Sequence, residues 1–169
     1  MHPLVGRSVP LVQLGRLKDG AVVLESARRL FGHEPAVAIG IPGAFTPVCA
    51  RQHLPDFIRN VPKLRAAGYK RLICIVANDP FVTEAWAALV DPSGEITFLP
   101  DGNLDFTRAL GMSVRGDNLC IGERSNRYMM CTRNSVITHF RVESSVLDLN
   151  CTRAQDAIDA AQNTVVLDI

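Results

Sequence analysis

The chain has 169 residues, of which 47% are hydrophobic and 21% charged, a composition typical of a globular protein and not of a disordered one. Its 18 basic and 17 acidic residues leave a formal net charge of +1 with no basic run longer than a pair. This balance argues against a nucleic-acid or anionic-membrane surface, and the length suits one domain over residues 1–169.

The pattern of apolar runs and turn residues predicts alternating strands and helices. The first expected elements are short strands and turns to about Phe31, a buried strand over Ala36–Ile41, a helix over about Thr46–Asn60, a strand over Leu72–Ala77 and a helix over Val82–Leu89. Asp79 is suited to cap this last helix, and Pro80 suits its first position. Next come a strand over Ile96–Leu99, a short helix over Leu104–Leu110 stopped by Gly111, a hairpin of Arg127–Cys131 and Val136–Val142, and a helix near Thr152–Ala161. The order predicts an α/β fold with a mixed sheet flanked by helices.

Targeting signals and the spacing of the cysteines indicate the cellular compartment in which the protein is found. Residues 1–6 lack a basic stretch followed by an apolar core, and no apolar run approaches the roughly 20 residues of a membrane span. The cysteines lie at positions 49, 74, 120, 131 and 151, with no CxxC and no Cys/His cluster at zinc spacing. We therefore expect a cytoplasmic protein with mostly reduced thiols, no membrane partner and no metal.

The segment from Pro42 to Cys49 carries the clearest chemical signal. Thr46 is a suitable helix cap and Pro47 a suitable first helical residue, which places Cys49 in the first turn. Free backbone N–H groups and the helix dipole favour a thiolate there, and the Thr46 hydroxyl is placed to donate a hydrogen bond to the sulfur or to an oxygen beside it. A plain helix start with Cys49 as a small buried hydrophobe fits this local pattern equally well.

Longer stretches resemble a known family. The run Pro-Gly-Ala-Phe-Thr-Pro-Val-Cys ending at Cys49 resembles the active-site motif of the peroxiredoxins, in their Prx5 (type II) subgroup. The resemblance continues through His53–Phe57, Asn78–Val82 with Trp86 close behind, Phe106–Met112 and Arg124–Met130. It implies a thioredoxin-like fold and a thiol peroxidase for hydrogen peroxide and organic hydroperoxides, with peroxynitrite a further substrate and no cofactor.

The same resemblance implies partners. The electron donor would be thioredoxin or glutaredoxin with glutathione. The chain would form a homodimer that packs near the active-site loop through Phe45, Pro47 and Phe81.

Mapped motif by motif, the resemblance implies a catalytic site of Pro42, Thr46, Cys49 and Arg127. Thiolate attack on an O–O bond pushes negative charge onto the departing oxygen, and Arg127 would stabilise both the thiolate and that oxygen. Pro42 has no N–H and would shield the sulfur from water, and the product would be a sulfenic acid. Without the resemblance, Arg127 would be interpreted as a solvated charge on a strand.

His53 follows Cys49 by four residues, one turn along the same helix face, which suggests a Cys–His hydrolase pair. A base one turn below a helix-start nucleophile is poorly aimed at it, and Pro55 is expected to distort that turn. We therefore expect His53 to be a structural or surface residue. Trp86 and Cys131 are expected in the core.

The route by which the sulfenic acid is reduced stays open. The resemblance aligns Cys151 with the resolving cysteine of animal-type members, which form an intramolecular disulfide, and Cys74 with a second cysteine of plant-type members. Cys74 also lies within an apolar strand, where inert burial is the default. Residues 143–150 lack the glycines common in that loop, and a stiffer loop would hinder a Cys49–Cys151 disulfide, which needs Cα atoms within about 7 Å. Direct reduction of Cys49 by glutaredoxin or glutathione is the other alternative.

Two other functions are compatible with an oxidisable cysteine. A thioredoxin-like disulfide reductase is disfavoured, because Thr46 stands where a CxxC motif has its first cysteine. A redox sensor or interaction module, in which oxidation of Cys49 changes partner binding, would use the same thiol. Cys120 matches no catalytic position.

Overall fold

The computed structural model describes residues 1–163 of the chain. Its first elements are β1 (Gln13–Lys18), β2 (Ala21–Ser26), α1 (Ala27–Phe31), β3 (Ala36–Ile41), a π-helical turn (Cys49–His53), α2 (Leu54–Arg59), α3 (Val61–Ala66), β4 (Arg71–Val76) and α4 (Pro80–Val90). They are followed by β5 (Thr97–Pro100), α5 (Asp105–Ala109), β6 (Ser113–Arg115), a 3₁₀ turn (Asp117–Leu119), β7 (Glu123–Ser125), β8 (Tyr128–Arg133), β9 (Val136–Val142) and α6 (Ala154–Gln162).

Five strands form a mixed central sheet in the order β5-β4-β3-β8-β9. Strand β3 is parallel to β4 and β4 to β5, whereas β8 is antiparallel to both β3 and β9. The carboxyl ends of β3 and β4 therefore meet at one edge of the sheet, where ligands usually bind in α/β folds. The segment that leads to Cys49 begins at this edge.

Side chains alternate between the two faces of the sheet, and each face is covered by its own apolar cluster. On β3, Val37 and Ile39 pack in the cluster that includes Leu54, Phe57 and Ala157 from the helices. Ala36 and Ala38 point the other way, into a cluster with Phe31 and Phe106. Burial of both faces explains why these strands are apolar throughout instead of alternating with polar residues.

The predicted mixed sheet flanked by helices is confirmed, and several boundaries follow the local signals. Strand β3 has the predicted ends, and the Asp79 carboxylate caps α4 by accepting a hydrogen bond from Val82 N at 2.9 Å. The β8–β9 hairpin turns at Asn134 and Ser135, which both have positive φ (51° and 57°), as a type I′ turn requires.

The single helix predicted over Thr46–Asn60 is wrong in detail. Helical backbone begins at residue 47, widens to a π-helical turn at Cys49–His53 and resumes as α2. Pro55 is the second residue after this turn. A proline ring clashes with the carbonyl four residues before it, and an extra residue in the turn relieves that clash. The short elements α1, α3, β6 and β7 were not predicted, because segments of three to six residues show too little periodicity.

No helix within residues 1–163 has both the length and the apolar character needed to cross a membrane.

Candidate active site

Cys49 opens the π-helical turn and has no solvent-exposed surface. Ala50 N donates to the Thr46 carbonyl at 2.9 Å, whereas Leu54 N reaches back five residues to the Cys49 carbonyl. The sulfur therefore lies where the helical hydrogen-bond pattern changes. Such π-helical turns are frequent at functional sites.

The Arg127 guanidinium is the group that faces the Cys49 sulfur. Both Nη1 and Nη2 of Arg127 lie 3.4 Å from Sγ, although the two residues are 78 positions apart in sequence. Arg127 is fully buried, so its interpretation as a solvated charge is wrong. Within the described part of the chain it pairs with no carboxylate, and its other acceptors are neutral carbonyls and a ring nitrogen. A buried cation without a carboxylate partner is available to stabilise negative charge that develops beside it.

His53 holds the other side of this guanidinium. Arg127 Nη1 donates to His53 Nδ1 at 3.0 Å, and His53 Nε2–H donates to the Thr152 carbonyl at 2.7 Å. Burial, together with the charge of Arg127, lowers the pKa of His53 to about 3, so the ring is neutral at physiological pH. The expected structural role of His53 fits this position, but a surface location does not, since its exposure is 0%.

The segment that carries Cys151 is fastened to the same site. Arg127 Nη2 donates to the Val146 carbonyl at 2.8 Å, and Nε donates to the Asp148 carbonyl at 3.1 Å. The Glu143 carboxylate, 3% exposed, accepts hydrogen bonds from three groups of the segment, Asn150 N, Cys151 N and Thr152 Oγ1. Arg127 and Glu143 thus hold the loop between β9 and α6 at both ends.

Cys151 is half-buried, and its thiol donates to the Val142 carbonyl at 3.5 Å. Burial raises the pKa of Cys151 above its ordinary value, and the charges of Glu143 and Asp156 add to that effect. All five cysteines are free. In this conformation Cys151 is therefore a protonated thiol on a segment that Glu143 holds in place.

Thr46 and Pro42 reach the same site from the loop after β3. Pro42 is buried, and both residues line a cavity together with Arg127. The Thr46 hydroxyl donates to the Gly43 carbonyl at 2.7 Å, so the hydrogen bond predicted from this hydroxyl to the sulfur is not made. Its oxygen lone pairs remain able to accept a hydrogen bond from a bound molecule.

Arg124 and Asn78 fix the backbone of this loop and were not singled out from the sequence. Arg124 Nη1 donates to the Pro42 carbonyl at 3.3 Å and to the Ala77 carbonyl at 3.1 Å. Asn78 Oδ1 accepts a hydrogen bond from Ala44 N at 2.8 Å. Both residues lie in the stretches that carry the family resemblance, which was the only signal for them. Glu143 had no signal at all.

The cavity at the site has a volume of about 250 Å³ and mostly apolar walls. Leu119, Ile121, Val146 and Leu147 supply aliphatic side chains, and Arg127 supplies the charged group. Organic ligands bind in pockets of this kind, which combine an apolar wall with a few polar groups.

The remaining cysteines differ sharply from Cys49. Cys74 lies fully buried in β4, and burial, with Cys49 nearby, raises its pKa well above the ordinary value. Cys131 is 2% exposed and contacts Tyr69 Oη at 3.1 Å, which confirms its place in the core, and Trp86 is 1% exposed. Cys120 is exposed.

Within residues 1–163, no three His, Cys, Asp or Glu residues are grouped so as to hold a metal ion.

Comparison with known proteins defines the class. Residues 4–158 match the family model Redoxin, and the chain therefore belongs to the Redoxin family. Its relatives are peroxiredoxins, which are thiol-dependent peroxidases with a hydroperoxide as substrate and a thiol as reductant. The chain is accordingly a thiol peroxidase of thioredoxin-like fold, and its features are compatible with the Prx5-type subgroup.

Three relatives illustrate the match. The hybrid peroxiredoxin hyPrx5 of Haemophilus influenzae is 34% identical over 143 residues, which are 85% of this chain but 59% of that longer protein. Peroxiredoxin-2C of Oryza sativa subsp. japonica is 36% identical over 141 residues, covering 82% of this chain and 86% of the relative. The crystal structure of reduced Prx3 from Vibrio vulnificus in complex with hydrogen peroxide superposes with a TM-score of 0.85 at 32% identity, covering 93% of this chain and 98% of that one.

Proposed function

We propose that the chain reduces hydrogen peroxide and organic hydroperoxides through a sulfenic acid at Cys49, with Arg127, Thr46 and Pro42 completing the catalytic site. One observation carries the assignment of these roles. The buried Arg127 guanidinium has no carboxylate partner in the described residues and directs two N–H groups at Cys49 Sγ.

The reaction begins when the Cys49 thiolate attacks the nearer oxygen of the hydroperoxide. An S–O bond forms as the O–O bond breaks, so the sulfur is oxidised to a sulfenic acid and the peroxide is reduced. The Thr46 oxygen accepts the hydrogen bond of the attacked O–H group. Arg127 stabilises the departing alkoxide or hydroxide, which takes a proton from solvent to become an alcohol or water.

The apolar cavity supports organic hydroperoxides as substrates. Leu119, Ile121, Val146 and Leu147 are placed to contact the organic group, while the peroxide oxygens lie between Arg127 and the loop after β3. A small peroxide fits the same space without using these contacts. We therefore propose that organic hydroperoxides bind with a lower KM than hydrogen peroxide.

Peroxide consumption in the presence of a thiol donor tests this function. The wild-type chain is expected to turn over, and Cys49→Ser is expected to lose all activity because no other described thiol faces the Arg127 guanidinium. Cys120→Ser is the matched control, since Cys120 is exposed and outside the proposed site. Full activity in Cys49→Ser would overturn the assignment, and a single slow turnover of the wild type would favour a redox sensor.

For the second half-reaction we propose Cys151 as the resolving thiol and a thioredoxin or glutaredoxin system as the donor. Cys151 is the free cysteine on the segment that Arg127 contacts, whereas Cys74 lies within the sheet. The attack requires Cys151 to leave its contacts with Glu143 and Val142. Five free thiols suit a reducing compartment such as the cytoplasm.

We also propose a homodimer that packs through the active-site loop. Phe45 and Phe81 are 58% and 60% exposed, and Pro47 is exposed as well. Apolar rings this exposed favour a partner surface. Light scattering is expected to give twice the chain mass for the wild type and the monomer mass for Phe81→Glu; a monomeric wild type would contradict the proposal.

A further inference from the structure

The buried imidazole of His53 has no place in the reaction as proposed. Its ring nitrogens form hydrogen bonds with Arg127 and Thr152, and neither bonds to the sulfur in the described part of the chain. The peroxidase reaction nevertheless depends on where the Arg127 guanidinium points. Because an arginine side chain has four flexible torsions, some group must fix that direction.

We infer that His53 is a positioning residue for the peroxidase reaction, which holds the Arg127 guanidinium against Cys49 by accepting a hydrogen bond at Nδ1. This inference rests on the proposed role of Arg127.

The two ring nitrogens of His53 have separate tasks. Nε2 is 2.7 Å from the Thr152 carbonyl, which can only accept a hydrogen bond, so Nε2 carries the proton. Nδ1 is consequently unprotonated and accepts from Arg127 Nη1 at 3.0 Å. The Thr152 carbonyl thus selects the tautomer that Arg127 needs.

The acceptor at Nδ1 also bears on how the guanidinium of Arg127 is oriented toward the sulfur. Nη1 is bound to His53 and contacts Sγ, while Nη2 is bound to the Val146 carbonyl and contacts Sγ. Each terminal nitrogen is therefore fixed on one side by a neutral acceptor and presents its other side to the sulfur. Without the Nδ1 acceptor, the guanidinium is held by Nη2 and Nε alone, and no neighbouring acceptor among the described residues fixes Nη1 beside Sγ.

Two substitutions of His53 each remove one of its two hydrogen bonds and keep the other. In His53→Asn the side-chain oxygen stands at the position of Nδ1, so the acceptor for Arg127 remains and the bond to Thr152 is lost. In His53→Gln the amide reaches the position of Nε2, so the bond to Thr152 remains and the acceptor for Arg127 is lost. His139→Gln is the control, because His139 is half-buried on β9 and its side chain contacts Thr138.

The second-order rate constant of peroxide with Cys49 is measured by stopped flow for each folded variant, after wild-type activity has been established. His53→Gln is expected to lose roughly tenfold or more, His53→Asn to recover most of that loss, and His139→Gln to match the wild type. An inactive wild type would refute the proposed function. An active wild type with undiminished His53→Gln would refute the positioning role alone.

A double-mutant cycle with Arg127→Lys excludes a merely structural role for His53. Once the guanidinium is absent, His53→Gln is expected to slow the reaction no further. Additive losses in the cycle, or an equal loss in His53→Asn and His53→Gln, would overturn the inference. If His53→Gln does not fold, the rate constant of His53→Asn tests the inference instead. A rate as low as that of Arg127→Lys would contradict retention of the acceptor. A rate near that of the wild type would support it.

Discussion

Arg127 is the side chain that joins Cys49 and His53 to the loop before Cys151. Its guanidinium contacts the Cys49 sulfur, the His53 ring and two carbonyls of the loop before Cys151. A buried guanidinium is costly unless all its N–H groups are bound, and within residues 1–163 they are bound without any carboxylate. In the proposed reaction the cation is therefore available to stabilise the charge that develops at the sulfur and at the departing oxygen.

A stability measurement tests the neutral state of His53. Its pKa is about 3 in the folded chain, against 6.5 for an ordinary histidine, so the unfolded chain binds more protons between these values. The contribution of His53 to the free energy of unfolding is complete above pH 6.5 and is lost as the pH falls toward 3. From pH 7 to pH 5 the loss is about 2 kcal/mol, because each pH unit in this window costs up to about 1.4 kcal/mol.

Urea unfolding at the two pH values checks this prediction. His53→Gln has no titrating ring and is expected to lack this part of the pH dependence, while all other groups titrate as in the wild type. An identical pH dependence in the wild type and the variant would show that His53 is not held neutral.

At the scale of elements, the loop between β9 and α6 sets the reactivity of Cys151. The proposed resolving attack requires a thiolate, yet burial raises the pKa of Cys151, and the Glu143 carboxylate adds to this. Disulfide formation with Cys49 should therefore speed up as the pH rises toward and above 9. Glu143→Gln removes the charge but keeps an acceptor oxygen, and it is expected to accelerate the step several-fold at neutral pH.

Quenched-flow mass analysis of the disulfide after one turnover measures this step. Glu84→Gln is a suitable control, since Glu84 is exposed on α4. A disulfide rate that depends on neither pH nor Glu143 would contradict the role given to the loop.

Packing between strands β3 and β8 requires a glycine at position 40. A Cβ on Gly40 would fall within the ring of Tyr128, which is fully buried and stacked on Phe140 with ring centroids 5.2 Å apart. Gly40→Ala is therefore expected to lower the free energy of unfolding by about 2–3 kcal/mol, the cost of overpacking a core. In β1, Gly15→Ala meets only side-chain atoms, the nearest on the exposed Val22, and should cost less than about 1 kcal/mol. Equal losses in urea unfolding would contradict this account.

Elements with strong local signals were predictable, and those set by tertiary contacts were not. The apolar run of β3 and the Asp79-Pro80 start of α4 lie as predicted. The π-helical turn depends on how Pro55 meets the preceding carbonyls, which hydrophobic periodicity does not encode. Within the site, Cys49 had a local signal, whereas Arg127 was singled out only by the family resemblance, because its partner lies 78 residues away.

At the scale of the whole molecule, the fold brings distant segments to one edge of the sheet. Cys49 follows β3, Arg127 precedes β8, and the Cys151 segment follows β9. Strands β3 and β8 are neighbours in the sheet, so the pairing of these two strands places the cation beside the thiol. His53 and Glu143 were beyond prediction as partners of the site for this reason, since their contacts exist only after the sheet and α6 have assembled.

Both proposed half-reactions require Cys49 to be the thiol that peroxide oxidises first. Peptide mapping after one equivalent of hydrogen peroxide, with a sulfenic-acid trapping reagent present, identifies that thiol directly. The expected result is an adduct on Cys49 alone, much reduced in Arg127→Lys at the same reaction time. An adduct on another cysteine while Cys49 stays unmodified would contradict the account.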